Sequence, residues 1–322
     1  MDEKTVCKTL RREFSKHGWT LLIYYGIMNA AVLVMAILEI LFAAVTRPNF
    51  TLESFLEVMT DALLNNGWGY LIACVIGGWI LLRRRGKKFC LETIWDGKQP
   101  MTLKAFLVIL CVFFSGQTVV QVLVTVLEPL LNLLGASLMD SVEQSSAGAD
   151  SFSMFLYMGL FAPVCEEILF RGVILRALQP YGKKFAILGS AFLFGVFHGN
   201  LVQSPYAFAV GLVLGYVTVE YSMGWAMVLH MANNLVLGDM MTRIGEFLPV
   251  GVMDMLVACL IWLCTAISLI LLIKNRHQVR RYLSVGRIHP WCAKSFFTSP
   301  GVLILTAFML WNALSILTMA FF

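Results

Sequence analysis

Residues 19–45 read WTLLIYYGIMNAAVLVMAILEILFAAV, with Glu39 the only charge. As a helix rising ~1.5 Å per residue the run reaches about 40 Å, more than the ~30 Å hydrocarbon core of a bilayer. It follows a basic head of Lys4, Lys8, Arg11, Arg12 and Lys16, as a secretory signal would, but a signal's apolar region is only about 7–15 residues long. The run is therefore expected to stay in the protein as a membrane helix. The whole chain shares this character: 59% of its 322 residues are hydrophobic and 13% are charged, against roughly 25% charged in an ordinary soluble domain. So little charge cannot coat a globule of this size in water. The expected fold class is all-α, a polytopic transmembrane helical bundle without a sizeable soluble domain.

Further apolar runs cover residues 67–82, 105–127, 152–175, 185–197, 206–219, 225–237, 252–273 and 301–322. They make eight to nine spans, with the short runs between Phe185 and Leu237 the place where a half-helix would alter the count. Basic residues are retained on the cytoplasmic side of a membrane, and 22 of the 24 Lys and Arg fall in connections of one parity, leaving only Arg47 and Arg243 in the other. This split expects a multi-pass cell-membrane protein with its N-terminus in the cytoplasm and its C-terminus outside. The net charge of +5 then reports topology, and no nucleic-acid partner is expected. The eight cysteines lie at the cytoplasmic side or inside spans with no CxxC, which reads as apolar packing and not as a disulfide or zinc framework. Residues 135–150, rich in Ser and Ala, read as a solvated outside connection.

Ionisable residues inside spans are costly and mark functional or paired sites. The fourth span carries Pro163, Cys165, Glu166, Glu167 and Arg171. One Glu with one Arg would be explained by an ion pair that fixes helix packing; two acids against one base are not. Glu167 and Arg171 are i and i+4 on one helical face, with the acid N-terminal to the base. Glu166 points about 100° away and is left without that counter-charge, which suits a group that takes and returns a proton. The residues thus suggest Glu166 for chemistry, oriented by Glu167 with Arg171. His17, His277 and His289 fall in basic segments and read as solvated. His198 ends the fifth span, and His230 shares a face of the seventh with Asn234 at i, i+4. Counted from the basic side, Glu166 lies roughly 15 Å deep, His230 roughly 12 Å and His198 roughly 21 Å, so His198 stands several Å too far outward for a common site unless its span starts later or tilts.

The strings Glu166-Glu167 to Arg171, Phe194 to His198 and His230 to Asn234 form EExxxR, FxxxH and HxxxN in order, and with Pro163, Gly172, Gly211, Gly215 and Tyr216 around them the region 155–240 resembles the CPBP family of intramembrane proteases. That family, also called Abi, includes type II CAAX prenyl endopeptidases and bacterial proteins linked to bacteriocin self-immunity. The resemblance implies a catalytic membrane core at 151–245, between N-terminal helices at 1–150 and C-terminal helices at 246–322 that carry no specific likeness. It implies that Glu166 and His198 activate the attacking water, that His230 and Asn234 stabilise the oxyanion, and that Phe194 packs beside the site and positions His198. The implied partners are a peptide or membrane-protein substrate and the lipid bilayer, in a bacterial plasma membrane.

Glu166, His198 and His230 also compose a ligand set for a divalent metal such as zinc, with one position open for water. Against that version, the HExxH of helical zinc proteases is absent and Asn234 suits an oxyanion donor better than a ligand. Two further readings use the same buried Glu and His: a proton-coupled transporter, although the first 150 residues hold no matching polar cluster, and a non-catalytic immunity protein that keeps the fold. Serine and aspartyl intramembrane proteases fit less well, since no GxSx motif pairs with a histidine and Gly238-Asp239 lacks a second membrane aspartate.

Overall fold

The computed structural model describes residues 3–88, 96–146, 151–245, 247–286 and 288–318, and among them every regular element is a helix. Cys90 and the last four residues of the final apolar run lie outside the described residues. The chain runs through α1 (Glu3–Thr46), α2 (Leu52–Leu64), α3 (Trp68–Lys88), α4 (Leu103–Phe114), α5 (Gln117–Asn132) and α6 (Met139–Ser146). It continues through α7 (152–178), α8 (Lys183–Phe197), α9 (Gln203–Glu220), α10 (223–240), α11 (Val252–Lys274), α12 (Arg276–Ser284), α13 (Pro290–Phe297) and α14 (Pro300–Thr318).

Four helical stretches are long and apolar enough to cross a membrane: Thr5–Thr46, Leu103–Asn132, Val252–Lys274 and Pro300–Leu317. The pair Leu52–Leu64 and Trp68–Ile80, bent by 40°, adds a fifth if taken as one broken span. The eight to nine spans expected from the sequence are not reached by this measure. The shortfall falls in residues 152–240, whose helices are short, interrupted, or flanked by polar residues such as Gln203 and Glu220. On the long helices the outward face is apolar, with Phe42, Val45, Trp262 and Trp311 all exposed. So much contiguous apolar surface is suited to lipid and not to water. The seven described cysteines are free.

Hydroxyl caps begin several elements: Thr51, Thr102, Ser151 and Ser222 each accept a hydrogen bond from the backbone N–H three residues on, satisfying a donor that the first turn leaves open. The expectation of a solvated loop at 135–150 is corrected, because α6 forms there and docks. Ser141 is fully buried and Leu138 nearly so, while Asn200 Nδ2 donates to the Ser141 carbonyl at 3.0 Å and to Gln144 Oε1 at 3.1 Å. Polar composition misled here, since Ala136, Leu138 and Ser141 face the bundle.

The core is aromatic and aliphatic, built around Phe14, Phe113, Phe170, Leu193, Phe194, Leu214, Leu229 and Phe296. The most extensive helix contact joins α8 to α9. Ser190 of α8 donates to the Phe170 carbonyl of α7 at 2.8 Å, tying the pair to the helix that carries both glutamates.

Candidate active site

Helix α7 is not a regular α-helix. It passes through π-helical turns at Tyr157–Phe161 and Ile168–Leu175, leaving a single α-helical piece, Ala162–Glu167, between them. Pro163 supplies part of the cause: it has no N–H to offer the preceding turn and its ring crowds the carbonyl four residues back, and the wider π turn lies immediately before it. Single π turns inside α-helices concentrate at functional sites. Here they bracket Glu166 and Glu167, and a third such turn, Asn234–Met240, begins at Asn234 on α10.

Glu167 and Arg171 are both fully buried, with Arg171 Nη1 3.1 Å from Glu167 Oε1. The i, i+4 spacing predicted this pair. The guanidinium also lies over the Phe194 ring at 4.3 Å, a cation–π contact strengthened by the lack of water, and its Nη2 donates to the Gly211 carbonyl at 3.3 Å. Gly211 allows that approach, since a Cβ there would sit 3.2 Å from Ala191 Cα and from the Phe194 ring.

Glu167 also reaches across to another helix. Its Oε1 accepts from His230 Nδ1 at 3.0 Å, so the carboxylate bridges Arg171 of its own helix to the histidine of α10. Neighbouring residues on a helix diverge by about 100°, which sends Glu166 away from this pair. Beyond the support for Glu166 expected from the sequence, the buried pair holds His230. Glu166 keeps a side chain 21% exposed, with Oε2 3.8 Å from His230 Nε2. One acid is sealed in the core and its neighbour faces accessible space.

His198 caps α8, and its Nδ1 lies 2.8 Å from the Phe194 carbonyl. The ring is thereby turned back toward the preceding turn of α8. It stands within electrostatic range of Glu166, His230 and Arg171. Phe194 joins the group, its ring packing edge-on against His198 at 4.7 Å and His230 at 5.8 Å between centroids. Glu166, Glu167, Arg171, Phe194, His198 and His230 thus meet from three helices.

Asn234 turns toward α7 as its spacing from His230 implies, but it reaches a different turn. Its Nδ2 donates to the Met158 carbonyl at 2.9 Å, and its Oδ1 accepts from Asn233 Nδ2 at 3.1 Å. Asn233 Oδ1 in turn accepts from the Tyr206 hydroxyl at 2.8 Å. Tyr206 and Asn233 do not stand out in the sequence. The signal for them is a tyrosine hydroxyl and a second amide inside apolar runs, groups that must find partners when buried. Among the described residues no three His, Cys, Asp or Glu side chains converge at metal-binding spacing, so Glu166, His198 and His230 do not form a ready ligand set in this arrangement.

Residues 148–236 match the family model described as Type II CAAX prenyl endopeptidase Rce1-like. In this segment the chain matches the CPBP/CAAX protease family. The CAAX-protease match begins just before α7 and ends just after Asn234, so it contains every residue of the converging group and about a quarter of the chain. No curated protein and no solved structure shows a significant match to the chain.

Proposed function

We propose that the protein is an intramembrane endopeptidase that hydrolyses a peptide bond of a membrane-associated protein or peptide. The observation that carries this reading is the convergence of Glu166, His198 and His230 from three helices, beside a buried ion pair that holds one of them. Glu166 and His198 activate water, and His230 with Asn234 stabilises the oxyanion.

The hydrogen bonds define what each histidine offers. A backbone carbonyl and a carboxylate only accept, so His198 and His230 both carry a proton on Nδ1. Neutral His198 presents the lone pair of Nε2, the form that takes a proton from water. For His230 to donate from Nε2 to an oxyanion while Nδ1 donates to Glu167, both ring nitrogens must carry a proton. Water oxygen bonds to the carbonyl carbon while its proton passes to Glu166 or His198. The C–N bond then breaks as that proton reaches the departing amine. Donors placed where charge develops, away from water, typically contribute ~10²- to 10³-fold each.

The reading includes eight to nine crossings with the N-terminus in the cytoplasm, and a substrate that approaches from that side. The name of the matched family makes a prenylated CAAX peptide the first probe. The test is cleavage in proteoliposomes of farnesylated and unprenylated CAAX peptides by wild type, Glu166→Gln and His198→Asn. If neither peptide is cut, membrane proteomics of wild-type and Glu166→Gln cells supplies the substrate. Cleavage that survives both substitutions would refute the roles of Glu166 and His198, and a wild type that cuts neither peptide and leaves no Glu166-dependent product in cells would refute the proteolytic reading in favour of the transporter and immunity alternatives.

A further inference from the structure

Away from the converging carboxylates, a surface cavity of about 1340 Å³ opens where α1 meets the α13–α14 junction. Its walls present Lys8, Arg11, Arg12 and Lys16 from α1, Lys294 from α13, and Trp19. On α1 these residues are spaced i, i+3, i+4, i+8 and i+11, so they form one stripe on one face. Lys294 joins them from far along the chain. Among the described residues no carboxylate lines the cavity, and of the five cations Lys16 is ion-paired, to Glu13 on its own helix at 2.7 Å.

The two walls are held in place by backbone contact. Ser15 Oγ accepts from Gly301 N at 2.8 Å, and a Cβ on Gly18 would fall 2.1 Å from the Gly301 carbonyl carbon. The helices therefore cross at glycine, and Lys294 is set opposite the stripe as a consequence. Depth adds the chemistry. Trp19 opens the apolar run of α1, and Trp favours the membrane interface; the four cations of α1 follow within about three turns beyond that boundary, at headgroup level.

We propose that this cavity binds the headgroup of an anionic phospholipid. Arg11 and Arg12 offer planar donor pairs suited to phosphate oxygens, the lysines add point charges, and Trp19 packs at the glycerol level. Basic pockets between membrane helices recognise such headgroups. Five cations around one cavity favour a lipid with two phosphates over one with a single charge. The site stands apart from the proposed catalytic group and does not depend on its assignment.

The test is lipid retention by the full-length protein in neutral detergent, read by native mass spectrometry with cardiolipin, dioleoylphosphatidylcholine and inorganic phosphate as probes. Each basic residue near an anionic surface is worth roughly a factor of five. The triple variant Arg11→Gln/Arg12→Gln/Lys294→Gln is expected to lower cardiolipin affinity about a hundredfold. The control Arg276→Gln/Arg280→Gln/Arg281→Gln removes as much charge from α12 and is expected to retain it. Equal loss in both variants would reduce the effect to diffuse charge and overturn the site. So would equal retention of phosphatidylcholine, or full displacement of cardiolipin by millimolar inorganic phosphate, which would make it a phosphate site. If the triple variant fails to fold, Lys294→Gln alone tests the opposite wall, with a fivefold loss expected and no loss refuting the proposal.

Discussion

The adjacent glutamates are expected to respond to the same substitution in opposite ways. In Glu167→Gln the neutral amide still accepts from His230, but Arg171, fully buried, loses its counter-charge 3.1 Å away. Removing one partner of a buried pair costs about 3–5 kcal/mol. At roughly 2–4 °C per kcal/mol for a large domain, the unfolding midpoint should fall by on the order of 6–20 °C. Glu166→Gln removes a carboxylate that is partly exposed and stands 3.8 Å from His230 Nε2; its stability effect should stay within about 1 kcal/mol. Activity should reverse the ranking per folded molecule, because losing a general base typically costs ~10²- to 10⁴-fold. The double change Glu167→Leu/Arg171→Met separates the contributions further: apolar replacement of a buried pair is often neutral or stabilising, so the midpoint should recover while His230 stays unheld and cleavage stays impaired. Thermal unfolding by tryptophan fluorescence in neutral detergent gives the midpoints, and proteoliposome cleavage gives the rates. The reasoning fails if Glu166→Gln destabilises as much as Glu167→Gln, or if Glu167→Gln leaves the midpoint unchanged.

Three further outcomes follow from particular contacts. Tyr206→Phe removes the donor to Asn233; it should lower stability by ~1 kcal/mol and kcat several-fold with KM unchanged, and an unaltered kcat would show that the Tyr206–Asn233 chain does not set the Asn234 amide. Gly301→Ala places a Cβ 2.1 Å from the Ser15 carbonyl oxygen and should cost at least ~1–3 kcal/mol, whereas Gly26→Ala on α1 meets nothing within 4 Å and should add roughly 0.5–1 kcal/mol of helix stability; matched unfolding midpoints would contradict the crossing of α1 and α14. Dialysis against EDTA should leave the cleavage rate unchanged, and a loss restored by zinc would move the chemistry to the metal-dependent version.

Several features are legible in the sequence because covalent geometry sets them. A 27-residue apolar run is a long helix wherever it packs, and α1 runs from Glu3 through it to Thr46. Glu167 and Arg171 meet because helical pitch places i beside i+4, and the same spacing turns His230 and Asn234 toward one helix. The order of the three motifs points to the family that residues 148–236 match. Other features depend on how helices rotate and approach one another, which no local spacing encodes. That Glu167 holds His230, that Asn234 is reached through Tyr206 and Asn233, that α6 docks on Asn200, and that Lys294 faces the basic stripe of α1 are all contacts between distant segments. Sequence alone determined an apolar helical membrane bundle and the pairs one turn apart, since these follow from hydrophobicity and helix pitch. Tertiary structure decided which acid is sealed and which is accessible, because that choice rests on the partner another helix brings.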